Sequence, residues 1–138
     1  MAHPIVPWIG GKRRLADLLI PRFPAHTCYV EVFAGGAALY FLKAPSDAEV
    51  INDISGDVAT LFRVLQRHYV ALMDMLRWQV TSRAEFDRLV AANPATLTDL
   101  ERAARFLYVQ RLAYGGKVTG RNFGVAVGTP ARFDEIGR

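Results

Sequence analysis

Apolar residues recur at two different spacings along this chain, and the change falls near residue 55. From Ser55 onward Val58, Leu61, Phe62 and Leu65 stand at i, i+3, i+4 and i+7, opposite Arg63 and Arg67, which predicts a helix with one buried stripe. Residues 69–80 continue with Leu72, Met73 and Leu76 on one face, and Met73 and Met75 read as core filler. Ser82 with Glu85, and Thr98 with Glu101, have the spacing of capping boxes ahead of amphipathic runs, so helices are expected near 83–92 and 99–113, parted by Asn93-Pro94. Gly115-Gly116 ends the last of them, and residues 121–128 have the composition of a short β-ribbon or an exposed loop.

Before residue 55 the pattern is different. Tyr29-Val30-Glu31-Val32-Phe33 favours a buried strand, Gly35-Gly36 allows a sharp turn, and residues 37–43 resume as a helix with an apolar face. Residues 49–53 form a second β-branched run that ends on Asp53, after a loop at Pro45-Ser46-Asp47. Ser46 and Glu49 match a capping box by spacing alone, because the residues after them are β-like. At the start of the chain a proline-containing lead turns on Gly10-Gly11 into a short helix with Leu15, Leu18 and Leu19 on one face, which Pro21 and Pro24 end.

A chain of 138 residues suits one domain that buries roughly 70% of its unfolded surface, and a hydrophobic fraction of 51% is sufficient for that. No stretch approaches the ~20 apolar residues of a membrane span, and the start lacks the basic-then-apolar pattern of a signal peptide, so a cytoplasmic protein is expected. The single cysteine, Cys28, excludes an internal disulfide and is expected to be buried at the strand start. With His3, His26 and His68 it forms no set with zinc-ligand spacing, so no metal site is expected. Charge is uneven. Residues 1–100 hold ten Lys/Arg and ten Asp/Glu, whereas residues 101–138 hold seven basic residues against three acidic ones. Arg105, Arg111, Lys117, Arg121 and Arg132 occur with no intervening acid and with Tyr108, Tyr114 and Phe123 among them, which fits either a phosphate-tracking surface or a solvated basic face.

Candidate chemistry gathers at the glycines. A lysine directly after Gly10-Gly11 can reach an anionic or carboxylate ligand, and Trp8 can stack on a flat ring, although a packing anchor and a surface lysine fit the same residues. The segment is not a Walker loop, since the spacing before Lys12 differs and no Ser/Thr follows it. Asp53 lies about twenty residues beyond the second glycine pair, the interval at which nucleotide-binding α/β folds place a carboxylate on ribose hydroxyls, and it equally suits a helix cap. The missing third glycine argues against an oxidoreductase fingerprint.

Pro7-Trp8-Ile9-Gly10-Gly11-Lys12, Tyr29-Val30-Glu31-Val32-Phe33-Ala34-Gly35-Gly36 and Ile51-Asn52-Asp53-Ile54, in that order, resemble the Dam-type adenine-specific (N6) DNA methyltransferase family. The resemblance continues through Arg102-Ala103-Ala104-Arg105-Phe106-Leu107-Tyr108-Val109-Gln110-Arg111 and Phe123-Gly124-Val125. It is loosest at 112–119, where the family commonly has a Phe/Tyr-Asn-Gly turn and this chain reads Ala113-Tyr114-Gly115-Gly116. It implies an α/β fold: part of a Rossmann-like S-adenosylmethionine-dependent methyltransferase domain over 1–54, with a mainly helical insert and target-recognition segment over 55–138. It implies S-adenosylmethionine bound by Trp8, Lys12, Phe33, Gly35, Gly36 and Asp53, and double-stranded DNA met by Arg105, Arg111, Lys117, Arg121 and Asn122. Two roles stay open for Glu31: the cofactor's ammonium, or a pair with Lys12 or Arg13.

The family's catalytic Asp/Asn-Pro-Pro-Tyr/Phe motif, which holds a flipped adenine, does not occur, because the prolines stand at 4, 7, 21, 24, 45, 94 and 130 with no two adjacent. The expectation is a truncated or split enzyme that lacks its C-terminal catalytic half, has an exposed sheet edge, and calls for a second polypeptide to complete it. The alternative is a non-catalytic DNA-binding or regulatory remnant.

Overall fold

The computed structural model describes residues 5–124, and Arg132 and the second half of the expected ribbon at 121–128 lie outside them. The chain begins with a turn on Gly10 and a helical segment built as a 3-10 turn (Lys12–Leu15), a single α turn α1 (Ala16–Leu19) and a second 3-10 turn (Ile20–Arg22). Only Ala16 of this segment is buried. The expected Leu15 and Leu18 face is half exposed, since no described element covers it.

Strand β1 (Cys28–Glu31), helix α2 (Ala38–Leu42) and strand β2 (Ala48–Ile51) form a βαβ unit whose strands pair in parallel, with Cys28 opposite Ala48 and Glu31 opposite Ile51. Pairing continues past the strand ends, from Asn52 N to Glu31 O (2.8 Å) and from Ala34 N to Asn52 O (2.9 Å). Alternation sends Tyr29 and Glu31 to one face, beneath α2, and Val30 to the other. That second face is uncovered: Val30 is 53% and Val50 47% exposed. The apolar run therefore forms a strand as expected, but not a buried one, and Cys28 is exposed rather than enclosed. Among the described residues both strands also keep an unpaired edge.

Helices α3 (Gly56–Arg67), α4 (Tyr69–Arg77), α5 (Arg83–Ala91) and α6 (Asp99–Leu112) make the second unit. Helix α6 is its axis. Residues 103–110 and Leu112 are buried on all sides of it, as befits a helix enclosed by its neighbours rather than laid on them. Val58, Leu61 and Val64 of α3, Leu72 and Leu76 of α4 and Phe86 of α5 pack on it, and Met73 and Met75 fill partly buried positions of the same core. Thr98 starts α6 with a full capping box, its Oγ1 accepting from Glu101 N while Glu101 Oε2 accepts from Thr98 N (2.9 Å). Ser82 caps α5 by accepting from Glu85 N (3.1 Å), but Glu85 turns to Arg88 and Gln79 instead of closing a box. Helix α4 ends three residues before the expected 80. The chain leaves it so that the Val80 carbonyl can accept from the buried Tyr108 hydroxyl (2.9 Å).

The two units are joined at the chain's start. Val6 lies in the helical core, the Trp8 ring meets Phe106 edge-on at 6.3 Å, and the buried Gln110 carboxamide donates to Pro7 O (2.9 Å) and Gly116 O (2.7 Å). Residues 5–8, which precede the βαβ unit in the chain, thus pack on the helical unit.

Candidate functional site

The glycine turn after β1 is tight. Ala37 N donates back to Ala34 O (2.7 Å), and Gly35 and Ala37 both take left-handed backbone, with φ of 51° and 52°. Gly35 has a second reason to be glycine, because a Cβ there would stand 2.7 Å from Trp8 Nε1. The N-terminal motif and the turn are therefore in direct contact, with the indole lying against the glycine backbone.

Lys12 reaches the same turn from the other side. Its ammonium donates to Glu31 Oε1 (2.6 Å) and to the Phe33 carbonyl (2.6 Å). Glu31, 4% exposed, also accepts at Oε2 from the Tyr29 hydroxyl and from Tyr40 N, each at 3.2 Å. Of the two roles open for Glu31, the structure shows the pair with Lys12. Burial and the adjacent Glu31 push the Tyr29 hydroxyl up to about 12, which keeps it a donor. Behind this group Lys43, buried, pairs with Glu49, donates to Ser46 Oγ (3.1 Å) and lies 4.3 Å over the Tyr29 ring.

Asp53 approaches from β2. Its Oδ2 accepts from Gly35 N (2.8 Å) and its Oδ1 from Ser55 N (2.9 Å). The second bond is a local Asx-type turn. The N-cap position of α3 belongs to Ser55, so Asp53 steers the chain into that helix without capping it. A cleft of about 460 Å³ opens beside the turn, lined among others by Trp8, Gly11, Lys12, Arg13, Arg14 and Gly36. Phe33, Gly35 and Asp53 are not in that wall. Phe33 offers its carbonyl to Lys12 and leaves its ring in the open, and Asp53 meets the site through Gly35.

The residues expected to face DNA divide. Ala113 bridges Phe123 antiparallel, and Tyr114 N donates to Asn122 O (2.9 Å), so the segment between them projects as a loop that carries Lys117, Arg121, Asn122 and the exposed Tyr114. Arg121 donates to the Lys117 carbonyl (3.3 Å), and burial together with the charge of Arg105 lowers its pKa. Arg105 does not join them. It is 6% exposed, donates to the Leu89 and Val90 carbonyls at the end of α5, and lies 3.9 Å from Asp57, so it closes a helix C-terminus inside the helical unit. Arg111 points back to the Ile5 carbonyl (3.3 Å) rather than toward the loop. Sequence reasoning passed over Tyr29, Tyr40 and Gln110. The i, i+2 spacing of Tyr29 and Glu31 was the available signal for the first. Gln110, a lone amide in a buried helical run, offered one for the last.

Comparison with known proteins gives the family of the chain. The family model described as D12 class N6 adenine-specific DNA methyltransferase matches residues 8–124. The type II methyltransferase M1.LlaDCHI of Lactococcus lactis subsp. cremoris is 31% identical over 131 residues, covering 87% of this chain and 45% of that protein. The DNA adenine methylase of Serratia marcescens is 32% identical over 116 residues, covering 79% and 42%. The DNA N-6-adenine-methyltransferase of Escherichia phage P1 is 29% identical over 116 residues, covering 81% and 15%. The chain spans less than half the length of these relatives. With the match running from Trp8 through the glycine turn and Asp53 to the end of the described loop, the chain belongs to the D12 class N6 adenine-specific DNA methyltransferase family.

Proposed function

We propose that this chain provides the S-adenosylmethionine seat and part of the target-recognition surface of an adenine-N6 DNA methyltransferase with a Rossmann-like core. One observation carries the reading: Lys12, from the 3-10 turn that precedes the βαβ unit, and Asp53, just past its second strand, fasten residues of one glycine turn, Lys12 on Phe33 O and Asp53 on Gly35 N. The residues suit the cofactor. Lys12 faces a cleft of a volume ordinary for a small ligand and matches a carboxylate, Trp8 and the exposed Phe33 are flat apolar surfaces for an adenine, and Asp53 has lone pairs left for a ribose diol. When bound, the cofactor supplies the sulfonium methyl group. What these residues contribute is its placement, which is where most of the catalysis in such an in-line transfer resides.

No Pro-Pro pair stands in the sequence, so the group that would hold the flipped adenine is sought outside these 138 residues. The uncovered Val30, Val50 and Ile54 support a covering by further polypeptide, whether of the same chain or of a second one. By itself the chain is expected to bind cofactor and to transfer no methyl group to DNA. Calorimetric titration with S-adenosylmethionine tests the seat: Lys12→Ala and Asp53→Ala should each weaken binding about tenfold or more. Unchanged affinity in both variants would overturn the assignment.

A second reading rests on the loop between Ala113 and Phe123. A non-catalytic DNA-binding remnant would use Lys117, Arg121 and Asn122 on double-stranded DNA without cofactor. It predicts salt-dependent binding whose log-log slope falls by about one unit in Lys117→Ala. No DNA affinity at low salt would remove it.

A further inference from the structure

We infer that Glu31 is a positioning residue that aims Lys12 at the cofactor's carboxylate, and is not itself a ligand of the cofactor's ammonium; this rests on the cofactor seat proposed above. An ammonium has three N–H donors. Two of those of Lys12 are occupied, by Glu31 Oε1 and the Phe33 carbonyl, both at 2.6 Å, and the tetrahedral geometry at Nζ then fixes the direction of the third. The side chain is 32% exposed and in the cleft wall, so an N–H remains for a ligand. Without its two anchors the same side chain would sweep a broad volume, and each ligand contact would require it to be ordered afresh.

Glu31 is placed for this task and poorly placed for the other. Its Oε2 is occupied by Tyr29 Oη and Tyr40 N, its Oε1 by Lys12, and only 4% of the residue is accessible. A ligand ammonium would have to displace Lys12 or penetrate beneath it. Tyr29 sits on the same face of β1 as Glu31 and is itself held under Lys43, so the carboxylate is braced from behind by residues that never meet the cleft.

The test uses Glu31→Gln, which keeps an acceptor toward Tyr40 N and Tyr29, and Tyr29→Phe, which removes one brace and keeps the ring. Binding of S-adenosylmethionine is compared with that of its deaminated analogue, which retains the carboxylate, and its decarboxylated analogue, which retains the amine. Glu31→Gln should weaken the first two about tenfold and leave the decarboxylated analogue within about twofold. Tyr29→Phe should repeat the pattern more weakly. Selective loss of the decarboxylated analogue would make Glu31 an ammonium ligand and overturn the inference. Equal loss of all three would reduce it to structural support and overturn it as well. A ligand-free measurement separates this claim from the seat itself. Acetylation of Lys12, followed by peptide mass against Lys117 as internal standard, should speed up several-fold in Glu31→Gln at unchanged melting temperature. If the parent chain binds no cofactor, the seat fails while acetylation still decides what Glu31 does to Lys12; an unchanged Lys12 rate would refute the pairing role.

Discussion

The βαβ unit and the helical unit are held together by different physics. In the helical unit Leu61, Leu72, Leu107 and Tyr108 are wholly buried around α6, and the charged groups that enter, such as Arg105, do so to satisfy carbonyls. In the βαβ unit the strands leave their valines half exposed, and beside the buried Ala34, Ala37 and Leu39 the enclosed groups are Glu31 and Lys43 with their hydrogen-bonding partners. A dry core tolerates few changes of volume but needs no particular partner for each atom. A polar cluster is the reverse: each member has meaning only through the next, and that is the condition under which a lysine or a carboxylate is held at a defined point for a ligand.

The largest effect should come from the dry side. Leu107→Ala empties a fully buried site on α6 and is expected to cost about 2–5 kcal/mol. Val30→Ala, on the uncovered sheet face, should stay within about 0.5 kcal/mol. Chemical denaturation of both variants measures the contrast, and comparable losses would break it. Gly35→Ala should come next, at about 1–3 kcal/mol, because it meets both a left-handed backbone and the Trp8 ring. Cofactor titration should register this variant more strongly than its melting temperature does. Thr98→Ala removes one half of the capping box of α6 and should cost about 1 kcal/mol, visible as a small shift of the melt with cofactor binding unaltered.

Acid should sharpen the difference further. The Lys43 ammonium, and next the Ser46 N–H, hold the Glu49 carboxyl below its ordinary value of 4.5. A carboxylate depressed in the folded state stabilises fully above the unfolded value and loses that contribution as pH falls through the lower folded one. Amide exchange followed from about pH 5 downward should therefore show the β1-α2-β2 amides losing protection as Glu49 protonates and Lys43 is left buried without its counter-charge. In Glu49→Gln that pH dependence should vanish.

Much of the helical unit could be read directly from the chain. The i, i+3, i+4 spacing and the Thr98-x-x-Glu101 signature report on residues that are neighbours within one helix, so the periodicity of α3 and the start of α6 follow from local rules. The candidate site was legible in part. Trp8, Lys12, Gly35 and Asp53 could be picked out because each sits beside a turn or a strand end, where residue type is constrained. Phe33 enters only through the family resemblance, and the contact it makes with Lys12 is through its carbonyl. Arg105 and Arg111 could not be separated from Lys117 and Arg121, since basic residues along a chain do not say which will reach a carbonyl on a distant element, as Arg105 and Arg111 do, and which will bond within its own loop, as Arg121 does to Lys117.

Residue order alone specified the elements, their succession and the family, because hydrophobic period, turn chemistry and motif order are properties of neighbouring residues. Which charges meet was settled by packing in three dimensions. Glu31 and Lys12 are nineteen positions apart, and Arg105 faces Asp57 across two helices. Such pairs form only where packing brings an acid and a base together out of water, and no local pattern encodes that distance.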